Sequence, residues 1–386
     1  MEENTKKPGL FEEGGKLGFL HSTVDAFETF LRVPGTVTLK GAHVRDSVDL
    51  KRIMIIAVIS AIPAAIFGMW NVGYQHSLAL GVTGAHIFQN FWFGLWRVIP
   101  LYVVAYVVGL FIEFASAQIR NEEVNEGYLM SGMLIPLIVP VDVPLWMLAV
   151  AVAFAVIFGK EVFGGTGMNI FNPALLTRAF LFFSYPNDMS GSGSWIAMRK
   201  SETMIDAATG ATPLSFIGDG MDALTNCGAQ YGTSFWTMFW GGIPGSVGET
   251  SVIAILLGAA ILIFTGVASW KIMVSSVGGA LIVGWIASLC GVTDIPAYYH
   301  LVMGGFAFGT VFMATDPVTS AQTECGKWIY GFFIGAVCVV IRLFNPGYAE
   351  GMMLAILLGN LFAPLIDHVV IDRHIARKNK KSVKTA

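Results

Sequence analysis

One hydroxyl group, in a polar segment between two apolar blocks, stands out as a possible reaction centre. Thr212 is followed by Pro213, whose ring pushes the preceding residue out of the helical region into an extended conformation. Two residues earlier, Gly210 lets another backbone approach closely. This pattern predicts a threonine hydroxyl held where it can be modified. The alternative is an ordinary turn rich in small residues.

Two asparagines, Asn169 and Asn172, follow a glycine-rich stretch that begins at Gly159. Each amide offers hydrogen-bond donors and an acceptor, and glycine allows a ligand to approach the backbone. The spacing therefore favours hydrogen bonds to the polar edge of a planar heterocycle. The alternative is that the asparagines only cap a helix.

Several carboxylates interrupt the apolar sequence. An ionisable side chain is costly inside a membrane span, so it is a candidate for coupling to sodium ions or protons. The candidates for a cation pathway are Glu113, Asp142, Asp316 and Asp367. The alternative is ion pairing, for which the available partners are Lys160, Arg178, Lys327 and Arg342. For Glu161 we favour pairing with the adjacent Lys160.

The composition bounds the class of protein. The chain has 386 residues, of which 55% are hydrophobic and only 13% are charged, and its mean hydropathy is +0.66. Such a composition predicts a polytopic membrane protein. A net charge of -3 without a basic block in the apolar body argues against nucleic-acid binding. Four cysteines without C-x-x-C spacing predict neither an iron–sulfur centre nor another metal site in this chain.

Ten apolar segments are predicted to cross about 30 Å of hydrocarbon. They are 53–72, 91–115, 128–140, 144–163 and 172–186, then 251–268, 271–290, 299–315, 328–344 and 351–371. Basic residues precede the first segment and follow the last one. This distribution predicts that both termini lie in the cytoplasm. The predicted regions are a cytoplasmic amphipathic segment (1–52), two membrane halves (53–186 and 251–371), an exported loop (187–250) and a basic cytoplasmic tail (372–386).

The two membrane halves share a pattern. In the first half, Asp142 is followed by an Asn-Pro pair that begins at Asn172. In the second half, Asp316 is followed at nearly the same distance by an Asn-Pro pair that begins at Asn345. This pattern predicts an all-α membrane protein of two inverted five-helix repeats with broken helices. The alternative is two unrelated turns at helix ends.

Nearly end to end, the chain resembles the B subunits of sodium-translocating NADH:quinone oxidoreductases, respiratory pumps of bacterial inner membranes. The resemblance rests on the segments 34–38, 41–46, 159–167, 172–175, 178–183, 206–212 and 367–370. The pattern at 206–212 is similar to the acceptor motif of bacterial flavin transferases. These enzymes esterify FMN to the last threonine of the motif. The motif residues are Asp206, Thr209, Gly210, Ala211 and Thr212.

The resemblance implies two flavins in this chain. One is FMN joined to Thr212 by a phosphoester, and the other is a non-covalent riboflavin contacted by Asn169 and Asn172. It also implies other subunits that carry FAD, iron–sulfur centres and a second FMN, together with Na⁺ and quinone as further partners.

The implied quinone site faces the cytoplasm, near residues 125–128. Tyr128 stands where the family usually has phenylalanine. Residues expected to contribute are Glu126, Gly127, Phe180 and Phe182, with Phe27 and Phe30. Glu126 can help to deliver a proton, or it is only a carboxylate at a helix start.

Two other functions stay open. The nearer is the D subunit of the Rnf ferredoxin:NAD oxidoreductase, which is expected to lack the N-terminal segment of about 50 residues that includes 41–46. The more distant is a passive solute channel or transporter with an inverted-repeat fold. The motif at 206–212 favours a flavin protein over a channel.

Overall fold

The computed structural model describes residues 41–42, 50–82, 84–120, 127–189, 195–198, 202, 210–227, 233–348 and 350–385. Within these ranges the regular structure is helical, without a β-strand. The longer helices are α1 (Leu50–Ala79), α2 (Ile87–Arg120), α3 (Tyr128–Ile138), α4 (Leu145–Gly159), α5 (Pro173–Ser184), α6 (Val252–Phe264), α7 (Trp270–Leu289), α8 (Glu324–Phe344) and α9 (Met352–Thr385). The predicted all-α class is confirmed.

Shorter helical pieces join these helices. The α-helical pieces are Pro186–Met189, Gly220–Cys227, Phe235–Trp240, Tyr299–Val302 and Phe306–Phe308. Glu161–Phe163, Pro213–Phe216 and Pro346–Tyr348 are 3₁₀ turns, and Gly309–Met313 is a π-helical segment. The apolar segment predicted at 299–315 is therefore broken into several pieces.

Six helices in the described part of the chain are long and apolar enough to cross a membrane. Their spans are Lys51–Ala79, Ile87–Arg120, Leu145–Phe163, Trp270–Leu289, Glu324–Phe344 and Met352–Lys380. Three further apolar helices, α3, α5 and α6, are shorter. A hydrocarbon core of about 30 Å needs roughly 20 helical residues. The chain is thus a multi-pass membrane protein.

Two aspartates stand in breaks between helices, as the sequence pattern predicts. α3 ends at Val139 in an extended conformation, and α4 begins after Pro144, so Asp142 lies between them. Asp316 lies between the π-helical segment Gly309–Met313 and α8. Such breaks leave backbone N–H and C=O groups that a continuous helix would pair within itself, so these groups can bind other partners.

Close helix packing depends on glycine in several places. A Cβ on Gly335 of α8 would overlap the carbonyl oxygen of Ser276 on α7, and one on Gly94 of α2 would overlap that of Met69 on α1. In lipid, helices associate through close packing of small residues, because lipid tails are as apolar as leucine. The α1–α2 and α7–α8 pairs are therefore fixed by backbone proximity.

Candidate functional site

A pocket lies between α1, α3, α6, the start of α5 and the break that holds Asp316. The empty space within it amounts to about 670 Å³, including the part that opens outward. Its polar lining residues are Ser131, Lys160, Thr166, Asn169, Asn172, Thr315 and Asp316. Apolar side chains of α1 and α6 complete the walls. The two predicted asparagines therefore share one concave site with one of the predicted acidic residues.

Asn172 has a capping role and also faces the pocket. Its Oδ1 accepts a hydrogen bond of 2.9 Å from the backbone N–H of Ala174, which caps α5. Its Nδ2 donates to Asp316 Oδ2 at 3.0 Å. Asn169 donates from its side chain to the carbonyl of Phe171 at 3.1 Å. The capping alternative is thus confirmed for Asn172, and it is compatible with a ligand because the second amide hydrogen remains.

Asp316 is held by neutral donors. The backbone N–H of Val318 donates to Oδ1 at 3.1 Å, and the Thr319 hydroxyl donates to Oδ2 at 3.2 Å. Within the described chain, no basic side chain forms an ion pair with it. Of the four acidic residues predicted for a cation pathway, Asp316 is the one that lines this pocket.

Glu113 takes the alternative role that the sequence left open. It forms a buried ion pair with Lys160, which lines the pocket. Contrary to the prediction, Glu161 pairs not with Lys160 but with Arg120 at 3.5 Å, and it accepts a hydrogen bond of 2.6 Å from Ser116. Lys160 and Glu161 are adjacent after the end of α4, but their side chains bind different partners. Adjacency in the sequence therefore did not predict the ion pair.

Asp367 lies outside the pocket and holds the residues that lead into α8, whose N-cap is Thr323. It accepts hydrogen bonds from the backbone N–H groups of Gln322 at 2.7 Å and Thr323 at 3.0 Å. Thr323 in turn accepts from the N–H of Gly326 at 3.1 Å. Carboxylates near a helix N-terminus are favourable because of the unpaired N–H groups there.

The conformation predicted for Thr212 is confirmed. Its backbone is extended, with φ −81° and ψ 154°, and Pro213 opens a 3₁₀ turn. The Thr212 side chain does not cap that turn, whereas its carbonyl accepts from the N–H of Ser215 at 3.0 Å. Leu214 is buried in a cluster with Met303 and Val302. The threonine is therefore anchored by the residues that follow it, and its hydroxyl is not used for capping.

Side chains of α1, α2 and the α3–α4 break hold Ala197 and Met198, which precede the motif at 206–212. Asp142 accepts from the backbone N–H of Met198 at 3.1 Å, while Arg97 donates to the carbonyl of Met198 at 2.9 Å. Arg97 and Asp142 also pair with each other at 3.4 Å. His76 donates from Nδ1 to the carbonyl of Ala197 at 2.7 Å. We call Arg97, Asp142 and His76 the loop clamp.

The expected quinone residues are not all brought together. Gly127 lines the pocket beside Asn169 and Asn172. Phe180 and Phe182 lie on the same helix as the Asn172 cap but about 12 Å or more along its axis, at 1.5 Å per residue. Phe180 stacks on Phe154 with ring centroids 4.7 Å apart, and the ring centroids of Phe182 and Tyr348 are 4.2 Å apart.

Several expectations fall on residues outside the described ranges. They concern Glu126, Asp206, Thr209, Phe27, Phe30 and the amphipathic segment at 19–40.

A buried charge network escaped the sequence reasoning. Arg178 donates to Glu249 Oε1 at 2.8 Å and also binds Glu350, while Ser246 donates to the second Glu249 oxygen at 2.7 Å. The available signal was the placement of an arginine inside an apolar segment, since a buried charge needs a partner.

Known proteins resemble this chain closely. A family model described as the NQR2, RnfD, RnfE family matches residues 37–376. A relative from Chromohalobacter salexigens, named as the B subunit of a Na(+)-translocating NADH-quinone reductase, is 44% identical over 96% of this chain and 94% of its own length. Relatives of the same name from Azotobacter vinelandii and Ectopseudomonas mendocina are 42% and 44% identical, over 97% of both chains in each case. With its match to the family model running from residue 37 to residue 376, this helical membrane chain belongs to the NQR2, RnfD, RnfE family.

Proposed function

We propose that this chain is the membrane flavin subunit, known as the B subunit, of a sodium-translocating NADH:quinone oxidoreductase. In this role it would pass electrons from covalent FMN through riboflavin to quinone, coupled to Na⁺ movement across a bacterial inner membrane. The supporting observation is that relatives named as B subunits align over 94% or more of both chains. That end-to-end alignment favours this role over that of the Rnf D subunit within the same family.

Thr212 is the proposed attachment point for FMN. A phosphoester needs an accessible hydroxyl that is not committed to the fold, and the Thr212 side chain is half-buried and does not cap the turn that follows. Residues 210–212 precede Pro213 and Leu214, which are buried and fix the end of the motif. Asp206 and Thr209 complete the acceptor pattern for a flavin transferase.

The pocket that contains Asn169 and Asn172 is the proposed site for riboflavin. The buried hydroxyl of Thr166 has no hydrogen-bond partner within the described chain, so a polar group is available to a ligand. The residues present therefore fit a planar heterocycle with a polar edge. Bound flavins would supply carriers that accept and donate electrons.

Quinone and cation sites are proposed nearby. Gly127 borders the riboflavin pocket, so quinone would be reduced beside the start of α3, with Glu126 as a proton donor and Phe180 and Phe182 further along α5. Asp316 is the cation-pathway candidate that the pocket favours, because it lacks an ion-pair partner within the described chain. Asp142, Asp367 and Glu113 are the other proposed members of the cation pathway. Asp142 would act through the loop that it holds, Asp367 through the residues that lead into α8, and Glu113 through its partner Lys160.

The proposed topology has ten membrane-crossing segments in two inverted repeats, with both termini in the cytoplasm and the motif-bearing loop exported. The breaks at Asp142 and Asp316, together with the shorter apolar helices α3, α5 and α6, support this arrangement. Other subunits would carry FAD, the iron–sulfur centres and a second FMN.

The attachment of FMN can be tested by replacing the acceptor. Thr212→Ala removes the hydroxyl that forms the ester and should abolish the in-gel fluorescence of this subunit after denaturation. Thr225→Ala, a threonine of the nearby helix Gly220–Cys227, is the control and should keep it. If the Thr212→Ala chain is still fluorescent, the flavin is attached to another residue. Peptide mass spectrometry of the wild-type chain would then identify that residue.

A further inference from the structure

A buried ion pair borders the proposed riboflavin pocket. Lys160 is 3% exposed and Glu113 is 4% exposed. The Lys160 side chain lines the pocket, whereas Glu113, on α2, is not one of the lining residues. The two residues are brought together by the packing of α4 against α2.

The stability of the fold does not explain this pair. Burying two opposite charges costs about as much desolvation energy as their attraction returns, and apolar replacements of similar size are often neutral or stabilising. One carboxylate oxygen of Glu113, Oε2, has no hydrogen-bond partner within the described chain. An incompletely satisfied buried pair is therefore better explained by what it does to the pocket.

The charge that Lys160 brings to the pocket is unusual there. Among the described lining residues it is the only basic one, and Asp316 is the only acidic one. Neutral amides such as Asn169 and Asn172 bind a heterocycle in either redox state. A nearby fixed cation instead favours the state that has gained an electron, and the effect is strong where water is excluded.

We propose that Lys160 sets the reduction potential of the flavin held in this pocket, and that the buried carboxylate of Glu113, which pairs with Lys160, partly offsets the positive charge that the flavin experiences. This inference rests on the proposed riboflavin site and adds a residue that the asparagine pattern did not include. Lys160 is neither oxidised nor reduced, and no bond to it forms or breaks. The electrons come from NADH through the other subunits, as the proposed function requires.

The test uses charge changes of opposite sign in the intact complex. Lys160→Met removes the cation at similar size and should lower the midpoint potential of the riboflavin. Glu113→Gln keeps the lysine but removes the opposing charge, so it should raise that potential. A tenfold change in a one-electron equilibrium corresponds to about 59 mV, and we expect shifts of roughly that size in redox titrations followed by flavin absorbance.

Two further variants separate charge from shape. Lys160→Arg retains the charge and should stay close to the wild-type potential. Lys271→Met removes a lysine that pairs with Glu324 at the surface and should have no effect. Opposite shifts in Lys160→Met and Glu113→Gln support the proposal. Unchanged potentials, or shifts in the same direction, overturn it, as does loss of riboflavin from Lys160→Arg.

The riboflavin content of each preparation, measured after extraction, distinguishes this inference from the function on which it rests. If the wild-type complex contains riboflavin but its potential does not respond to these charges, only the role of Lys160 fails. If Asn169 and Asn172 can both be replaced without changing the riboflavin content, the pocket itself is wrongly assigned.

Discussion

Asn172 uses both ends of its amide, and this makes it the most informative single residue of the pocket. The oxygen caps α5, and the nitrogen donates to Asp316. An aspartate can supply the capping oxygen but has no donor, whereas alanine supplies neither. Two substitutions at one position can therefore separate the structural role from the ligand-binding role.

Asn172→Ala and Asn172→Asp should both deplete extractable riboflavin by tenfold or more, because losing a buried hydrogen-bond partner costs about 1–3 kcal/mol. The FMN proposed to be attached to Thr212 should stay in both variants. Thermal stability should fall in both variants, because the alanine variant loses the cap and the aspartate variant places a second carboxylate about 3.0 Å from that of Asp316. Ser251→Ala, which removes the α6 cap far from the pocket lining, is the matched control and should leave riboflavin unchanged. Riboflavin loss in the alanine variant alone would return Asn172 to a capping role.

At the scale of elements, the loop clamp joins three parts of the first membrane half to the segment before the motif at 206–212. Asp142 and Arg97 satisfy both backbone groups of Met198. His76 holds Ala197 and lies 3.6 Å from Glu202, with its ring stacked on Phe93. The clamp fixes the loop a few residues before residue 206, while the burial of Pro213 and Leu214 fixes it after Thr212. Described residues on either side of the motif are thus held by contacts with other parts of the fold.

Asp142→Asn should loosen this loop without removing the flavin. The amide hydrogen of Met198 should exchange faster, because its hydrogen bond to a carboxylate is replaced by one to a neutral group, which is weaker by roughly half. Hydrogen–deuterium exchange of peptides covering 195–202 measures this, and Asp188→Asn, at an exposed aspartate, is the control. If Asp142 instead lies on the cation path, the Na⁺ concentration needed for half-maximal turnover should rise and the exchange rate should not change.

At the scale of the whole molecule, one buried arginine ties the two membrane halves together. Arg178 belongs to α5, while Glu249 precedes α6 and Glu350 precedes α9. The Arg178 and Glu249 side chains are 3% and 5% exposed. Two carboxylates facing one guanidinium leave little tolerance for the loss of that cation, because an unpaired buried charge is strongly unfavourable.

Arg178→Met should destabilise the chain by about 3–5 kcal/mol, the usual cost of removing one partner of a buried ion pair. Adding Glu249→Gln and Glu350→Gln removes the stranded charges and should recover most of the loss. Thermal unfolding of the purified complex in detergent measures both effects. Lys271→Met breaks the more exposed pair with Glu324 and should change stability by about 1 kcal/mol or less. A triple variant no more stable than Arg178→Met would contradict the electrostatic explanation.

The sequence by itself determined those features that depend on composition and on neighbouring residues. Hydrophobic content predicted a multi-pass membrane protein, because lipid demands long apolar helices. The steric effect of Pro213 predicted the extended Thr212, and the pair Asn172-Pro173 predicted a helix start. Each of these results is set by contacts within a few residues, so knowledge of the fold was not needed.

Only the tertiary structure decided which charges meet. Glu113 pairs with Lys160 rather than standing free for a cation, and Asp142 holds a loop. Arg178 binds Glu249, which precedes α6, and Glu350 of the second half. Each of these partnerships joins residues far apart in sequence, and several combinations of the same charges would have satisfied the sequence equally well. Helix packing selects one combination, because a buried charge must pair with whatever the neighbouring helix places beside it. Helix packing also brings Lys160, Asn172 and Asp316, which are far apart in sequence, to one pocket.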